Sequence, residues 1–317
     1  MVFKYLQEFE YHILVIELKI NEWRKALYKG EGKKLHQNQE NTTLQLTNYV
    51  PSYLEEKIPE DQKRLYKLFS LKVSMFENPE DWESLGVSPV ACETISSFIK
   101  NKLLQKQSIE LKDIESEIRK HPTLTIGTKN SALTALRNLI NLGFFKYPEI
   151  NFREEWKKGN VVVVSFPGGE GGRMNVVINK LVKKIEKIGI YERLNNLEIT
   201  RKMLIFEDCS AYATQADSTS GIIKYIHNNL SAYGFNSLLT VQLPDLISPT
   251  LIDGCNIKII GFINNFMAIR PHLTDNAYFE LKNRKLFTNK DTFTFERLLI
   301  EDNEIKRFYP FDCMVGH

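Results

Sequence analysis

Two adjacent carboxylates, Glu207 and Asp208, follow directly on the apolar run Met203-Leu204-Ile205-Phe206. A run this short and this continuously apolar reads as a central parallel strand covered on both faces. Open α/β sheets receive their ligands beyond the carboxyl ends of their strands. At such a place one carboxylate can enter a Mg²⁺ shell while the other polarises an attacking water, the division of labour found in nucleotide hydrolases. The same residues could equally cap the helix that follows, which needs no ligand. Two more polar side chains stand past apolar strands. Gln242 ends a strand over Phe235–Val241, just before Leu243-Pro244, and Arg270 follows a strand over Ile257–Ile263. Arg270 could as well be an ordinary surface arginine.

The elements that must position these residues can be read from periodicity. Tyr11–Leu18 holds a compact apolar run with Glu17 at its end, and Asn160–Phe166 is β-branched almost throughout and bounded by Gly159 and Pro167. Both read as buried strands. Between them, residues 53–150 read as helical. Leu65, Leu68, Phe69 and Lys72 keep i, i+3, i+4 spacing, as do Ile95, Phe98, Ile99 and Leu103, and then Leu111, Ile114 and Ile118. Asn78-Pro79 and Ser88-Pro89 are helix starts, and Thr128–Leu142 is a helix stopped by Gly143. A DNA-reading helix-turn-helix would fit such a unit, but the sequence specifies no recognition helix. A helix over Ser218–Tyr233 separates the acidic pair from the next strand, and Ser248-Pro249 starts another. Alternating strands and helices imply a parallel sheet with right-handed crossovers. Near the end, Phe295–Ile300 and Ile305–Phe311 flank Glu301-Asp302-Asn303-Glu304 as a hairpin.

Two glycine-rich stretches invite a phosphate-binding reading and do not meet its requirements. Gly30-Glu31-Gly32-Lys33-Lys34 lacks the four-residue glycine spacing and the Lys-Ser/Thr ending of a P-loop. It reads as part of a solvated loop over Lys29–Thr43. Pro167–Arg173 lies between a strand and a helix, where backbone donors attract phosphate, but it has neither glycine fingerprint and reads as a flexible connector.

Composition narrows the classes. The 317 residues carry 42 basic and 39 acidic side chains, a net +3, which argues neither for nor against a nucleic-acid partner. Cys92, Cys209, Cys255 and Cys313 have no C-x-x-C spacing, against a zinc site and against a secreted disulfide scaffold. A reducing, cytoplasmic setting is expected. No apolar run approaches the roughly 20 residues that span a bilayer.

The order of these elements over residues 11–270 resembles the HerA/FtsK superfamily of RecA-like ring ATPases, especially HerA-type and conjugation-type DNA-pumping members. Ile13-Leu14-Val15-Ile16-Glu17 with Glu22-Trp23 is similar to the family's strand after the P-loop helix. Leu139-x-x-Leu142-Gly143-Phe144-Phe145, followed by Gly159 and Val161–Phe166, is similar to its passage from a helical lid back to a core strand. Met203–Asp208 takes the place of Walker B, and Thr240-Val241-Gln242-Leu243-Pro244 that of the sensor strand.

The departures are specific. The family's P-loop precedes the first matching strand, and this chain begins too close to that strand to hold it. Walker B usually reads Asp-Glu, whereas here Glu207 precedes Asp208. The family's Gly-Arg-Lys before the sensor strand has no cationic counterpart in Asn229–Gly234.

The resemblance implies an α/β fold: a RecA-like, mostly parallel sheet flanked by helices, with an all-helical insertion and a C-terminal β-hairpin. Core would occupy 1–52 and 151–273, the lid-like insertion 53–150, and the terminal strands 274–317. It further implies a fragment or split subunit of a DNA-translocating ATPase, working with ATP and Mg²⁺ in a homo-oligomeric ring, a hexamer, on DNA and in some members beside a membrane transfer machine. Glu207 would face the metal, Asp208 the attacking water, Gln242 the γ-phosphate, and Arg270 a neighbour's nucleotide. Without a P-loop this chain alone is expected to be inactive. A non-catalytic assembly module and a DNA-binding adaptor using the helical insertion are the competing expectations.

Overall fold

A computed structural model describes residues 10–19, 46–169, 171–211, 231–241, 244–253, 257–260, 270–272, 275, 278–279, 288–289, 294–301 and 304–312. The chain divides into two compact units, residues 1–20 with 43–205, and residues 21–42 with 206–317.

The first unit is built on strands β1 (His12–Glu17), β2 (Leu46–Pro51), β3 (Lys67–Phe69), β4 (Val161–Ser165) and β5 (Lys202–Phe206), in the spatial order β3-β2-β4-β1-β5. β4 is its centre. Val161 to Val164 are at most 1% exposed, and the strand pairs parallel with β2 on one side and β1 on the other. A strand buried on both faces must be apolar throughout, which is why this run is continuous rather than alternating.

Residues 52–78 differ from the helical expectation. Short 3₁₀ turns at Ser52–Lys57 and Glu60–Leu65 lead into β3, which pairs parallel with β2 through Tyr49↔Lys67, Val50↔Leu68 and Pro51↔Phe69. Pro51 and Pro59 precede those turns, and Phe69 is buried in the sheet rather than on a helix face. A short apolar set at i, i+3, i+4 cannot by itself tell a helix from a strand flanked by turns.

True helices begin where the Asn-Pro and Ser-Pro signals place them, with α1 (Pro79–Ser84) and α2 (Pro89–Leu104), followed by α3 (Leu111–Lys120) and α4 (Ile126–Asn141). Gly143 ends this run at φ +74, a conformation glycine adopts without strain. α5 (Phe152–Lys157) precedes β4, and the 24-residue α6 (Gly171–Leu194) follows it. Trp82, Phe76, Phe144 and Phe145 form an aromatic cluster beneath the helices, closed on one side by the buried Lys180–Asp81 ion pair.

Two buried polar clamps fix the amino ends of the strands. Glu155 of α5 accepts hydrogen bonds from Thr47 Oγ1 at 2.8 Å, Tyr49 OH at 2.9 Å, Lys67 Nζ at 3.2 Å and Asn160 Nδ2 at 2.7 Å. One carboxylate thus joins β2, β3 and the lead-in to β4. At the other flank the fully buried Lys202 donates to Glu192 Oε2 at 2.6 Å and to Thr200 O at 2.9 Å, tying the end of α6 to the start of β5.

In the second unit, β6 (Phe235–Leu239) leads into Thr240, whose N donates to the carbonyl of Phe206 at 3.0 Å. α7 (Pro249–Asp253) starts at its Ser-Pro signal. β7 (Ile257–Ile260), expected in the parallel sheet, instead pairs antiparallel with β9 (Thr294–Glu301). β9 and β10 (Glu304–Asp312) form the anticipated terminal hairpin, and β8 (Thr288–Asn289) adds to β9. The strand–helix alternation does not say which sheet a strand joins. Here the eight residues of β9 offer a ladder that captures β7. Of the helix expected over Ser218–Tyr233, residues 218–230 lie outside the described residues, as do Glu22-Trp23 and the loop over 29–43, and Ser231–Tyr233 form a 3₁₀ turn.

The Glu155 clamp predicts acid sensitivity. Burial alone would raise this carboxyl, but its four donors outweigh burial and hold it at about 2, against 4.5 in the unperturbed group. A depressed carboxyl contributes stability that is present above the unfolded value and lost as pH falls from about 5 toward 2, worth about 3 kcal/mol in all. Glu155→Gln should therefore lower the unfolding free energy at neutral pH by roughly 2–3 kcal/mol, and its urea midpoint should fall less than the parent's between pH 6 and pH 3.

Candidate functional site

The acidic pair lies where β5 runs out. Phe206 is fully buried, Glu207 and Asp208 are half-buried, and Cys209 and Ser210 turn back into the protein as a 3₁₀ turn. Thr240, next after β6, fastens this corner. Its hydroxyl accepts from Asp208 N at 2.8 Å, and its carbonyl accepts from Cys209 N at 2.9 Å and from Cys209 Sγ at 3.1 Å. Two successive residues past the strand, Asp208 and Cys209, are thus held by the one threonine through backbone and side chain together.

Asp208 has φ +44, the left-handed region. A non-glycine residue rarely stays there unless its surroundings over-determine it, and Asp tolerates it better than most. Ser210 Oγ donates to Asp208 Oδ1 at 2.7 Å, closing a local loop over the corner. One carboxylate oxygen of Asp208 is therefore engaged within the chain.

Of the four residues expected from sequence, Glu207 and Asp208 come together at this corner. Gln242 is outside the described residues, although Val241 beside it is described. Arg270 opens a short 3₁₀ turn, about half exposed, with its guanidinium 3.9 Å from Asp275 and 5.2 Å from the Tyr278 ring centroid. Thr240 and Ser210 are the members that sequence reasoning passed over. Thr240 stood in the strand ending Thr-Val-Gln, and a hydroxyl there was the available signal.

A second acidic feature lies at strand ends in the first unit. Glu17 of β1 and Ser165 of β4 are register partners, almost completely buried, and Ser165 Oγ donates to Glu17 Oε1 at 2.5 Å. In the glycine-rich stretch after β4, a Cβ on Gly168 or Gly171 would meet nothing within 4 Å, whereas Gly169 and Gly172 have close neighbours. A Cβ on Gly169 would meet Met174 Sδ at 2.9 Å and Phe166 O at 3.2 Å, and one on Gly172 would meet Ser84 O at 3.1 Å. These glycines make room for the protein's own backbone and side chains. A cavity of about 500 Å³ opens between α2 and α3, lined in part by Glu93, Phe98, Asn101, Glu117 and His121, and no member of the acidic corner lines it.

No protein-family model and no curated protein matches this chain. Among solved structures, it is similar to the genome packaging NTPase B204 of Sulfolobus turreted icosahedral virus 2 in complex with ATP-gammaS, at 13% identity over 48% of this chain and 68% of that one, with a TM-score of 0.36. It is also similar to the bacterial conjugative coupling protein TrwB. A trigonal form with sulphate gives 11% identity over 92% of this chain and 78% of that one, TM-score 0.40, and a complex with ADP and Mg²⁺ gives 14% over 96% and 78%, TM-score 0.38. The parallel α/β sheet flanked by helices is as expected.

The corner predicts distinct responses at its two hinge residues. Asp208→Val should destabilise by about 1–2 kcal/mol through its left-handed backbone, whereas Asp208→Gly should not lose that increment. Thr240→Val should cost about 1 kcal/mol by leaving Asp208 N without its acceptor. Urea unfolding of the three variants measures all three.

Proposed function

We infer that this chain provides the acidic-pair and sensor part of a HerA/FtsK-type ATPase acting on DNA, as a fragment or one piece of a split subunit. The observation that carries the reading is the fastening of Glu207-Asp208, at the end of a buried strand, to Thr240 at the end of the next. This fixes a carboxylate pair to the strand that continues toward Gln242.

ATP with Mg²⁺ supplies the phosphoryl group and the neutralising charge when bound. Mg²⁺ takes one or two carboxylates with water and phosphate oxygens rather than an all-protein cage. A single half-buried Glu207 fits that demand, and the described residues contain no cluster of three or more His, Cys, Asp or Glu placed to hold a metal. Asp208 orients the attacking water through the carboxylate oxygen that Ser210 leaves open. Gln242 would contact the γ-phosphate, and Arg270 would exchange Asp275 for a neighbour's nucleotide.

The phosphate cradle comes from another segment or chain in this reading, since neither glycine-rich stretch has the Lys-Ser/Thr ending. Ring assembly as a hexamer, a cytoplasmic setting and service to a membrane transfer machine belong to the same reading. No helix among the described residues is long and apolar enough to cross a membrane.

A second reading, a non-catalytic assembly module, is favoured by two contacts. Ser210 occupies an oxygen of Asp208, and Asp275 with Tyr278 occupies Arg270. Steady-state ATP hydrolysis separates the readings. The purified 317-residue chain should show no turnover, and a complex pairing it with a P-loop polypeptide should hydrolyse ATP and lose about a hundredfold in rate with Asp208→Asn. A complex whose turnover is indifferent to Asp208→Asn supports the module. Turnover by the isolated chain that Asp208→Asn abolishes overturns the split arrangement.

A further inference from the structure

Large apolar side chains stand exposed one after another at the end of α6 and in the lead-in to β5. Tyr191, Leu194, Leu197 and Ile199 are 46, 77, 50 and 39% exposed. Lys187, Tyr191 and Leu194 share one face of α6 by helical spacing, and the Arg153 guanidinium of α5 lies 4.5 Å from the Tyr191 ring centroid. The patch therefore spans α5, the end of α6 and the segment after it. Single exposed apolar residues need no explanation, whereas a contiguous group of them marks a place of contact.

The segment that displays these residues is held from behind. Buried Glu192 accepts from Thr200 Oγ1 at 2.9 Å, from Thr200 N at 3.3 Å and from Lys202 Nζ at 2.6 Å, and its carbonyl accepts from Leu197 N at 2.9 Å. Asn196 makes the turn at φ +51, a conformation Asn tolerates better than most residues. The backbone is thus fixed while Leu194, Leu197 and Ile199 stay open to solvent. A surface fixed in advance gives up little entropy when a partner arrives.

We propose that this surface docks an acidic amphipathic segment of a partner protein, its apolar residues on Tyr191, Leu194, Leu197 and Ile199 and its carboxylates on the cations around them. Charge complementarity selects the occupant. Exposed Arg153 and Lys157 of α5, Lys187 and Arg193 of α6, and Arg201 border the patch. Against them stand Glu198 and the half-buried Glu186, while Glu154 is paired with Lys158 at 3.7 Å. A second copy meeting the patch symmetrically would set these cations against themselves. The Arg153–Tyr191 stack and the fixed loop favour a protein segment over a lipid surface, since Tyr and Arg are the residue types that anchor protein interfaces and a bilayer offers no shape for the loop to match. All of these residues belong to the first unit and none to the acidic corner, so docking and nucleotide turnover can fail separately.

The test is selection on the full chain from a display library of randomised peptides of about 16 residues, roughly four helical turns. The peptides recovered should be rich in Asp and Glu with apolar residues at regular spacing. By fluorescence anisotropy, Leu194→Asp and Arg153→Glu should each weaken the best of them by at least about tenfold. The same change at the comparably exposed Leu104, which ends α2, should alter binding less than about twofold. A scrambled peptide of the same composition should bind at least about tenfold more weakly, and binding of the parent should weaken between about 50 and 500 mM salt. Thermal melts confirm that these exposed variants fold. Recovery of no peptide or of peptides without acids, equal effects of Leu194→Asp and Leu104→Asp, tighter binding to phosphatidylserine vesicles than to peptide, or a dimer that Leu194→Asp dissolves would each overturn the proposal.

Discussion

The sheet depends on a strand that water does not reach. Val161–Val164 of β4 is flanked on both sides by parallel partners, and a parallel ladder points the carboxyl ends of β1, β2 and β4 to the same edge. That constraint decides where chemistry can occur before any polar side chain is considered. The amino edge is closed by the Glu155 and Lys202 clamps. At the carboxyl ends of β1 and β4 stand Glu17 and Ser165.

The two kinds of buried charge differ in consequence. Glu155 and Lys202 are saturated by partners on several elements, so they fix strand starts and leave nothing over for a ligand. Asp208 is held by its backbone, through Thr240, in a conformation few residues accept, and one oxygen of its carboxylate is bonded by Ser210. A carboxylate positioned through its main chain keeps its remaining oxygen for another role. The Glu-Asp order puts Asp at the left-handed position 208, and Asp accepts that backbone better than Glu. The inversion and the corner geometry are therefore mutually consistent.

Much of this architecture is legible in the sequence because short, β-branched apolar runs bounded by turn residues read as buried strands. β1, β4 and β5 announce themselves in this way, and α1 and α2 do so through Asn-Pro and Ser-Pro. β2 is harder to see, since Leu-Thr-Asn-Tyr-Val-Pro carries polar residues that are buried only because Glu155, over a hundred residues away, accepts from Thr47 and Tyr49. β3 passes for a helix because three residues are too few to show a period. The hold of Thr240 on Asp208 spans 32 residues and depends on strand neighbours that no local pattern reveals.

The central claim is that Glu207 meets a nucleotide-bound metal. It is tested most directly by placing Mn²⁺ with a non-hydrolysable ATP analogue in the complex purified on a tagged copy of this chain, with glutamate labelled with ¹³C at its side-chain carboxyl. Electron–nuclear double resonance then reports whether a glutamate carboxylate lies beside the metal. The account predicts a ¹³C coupling that requires the nucleotide and disappears in Glu207→Gln. A nucleotide-dependent Mn²⁺ signal with no such coupling, or one unchanged in Glu207→Gln, would contradict it.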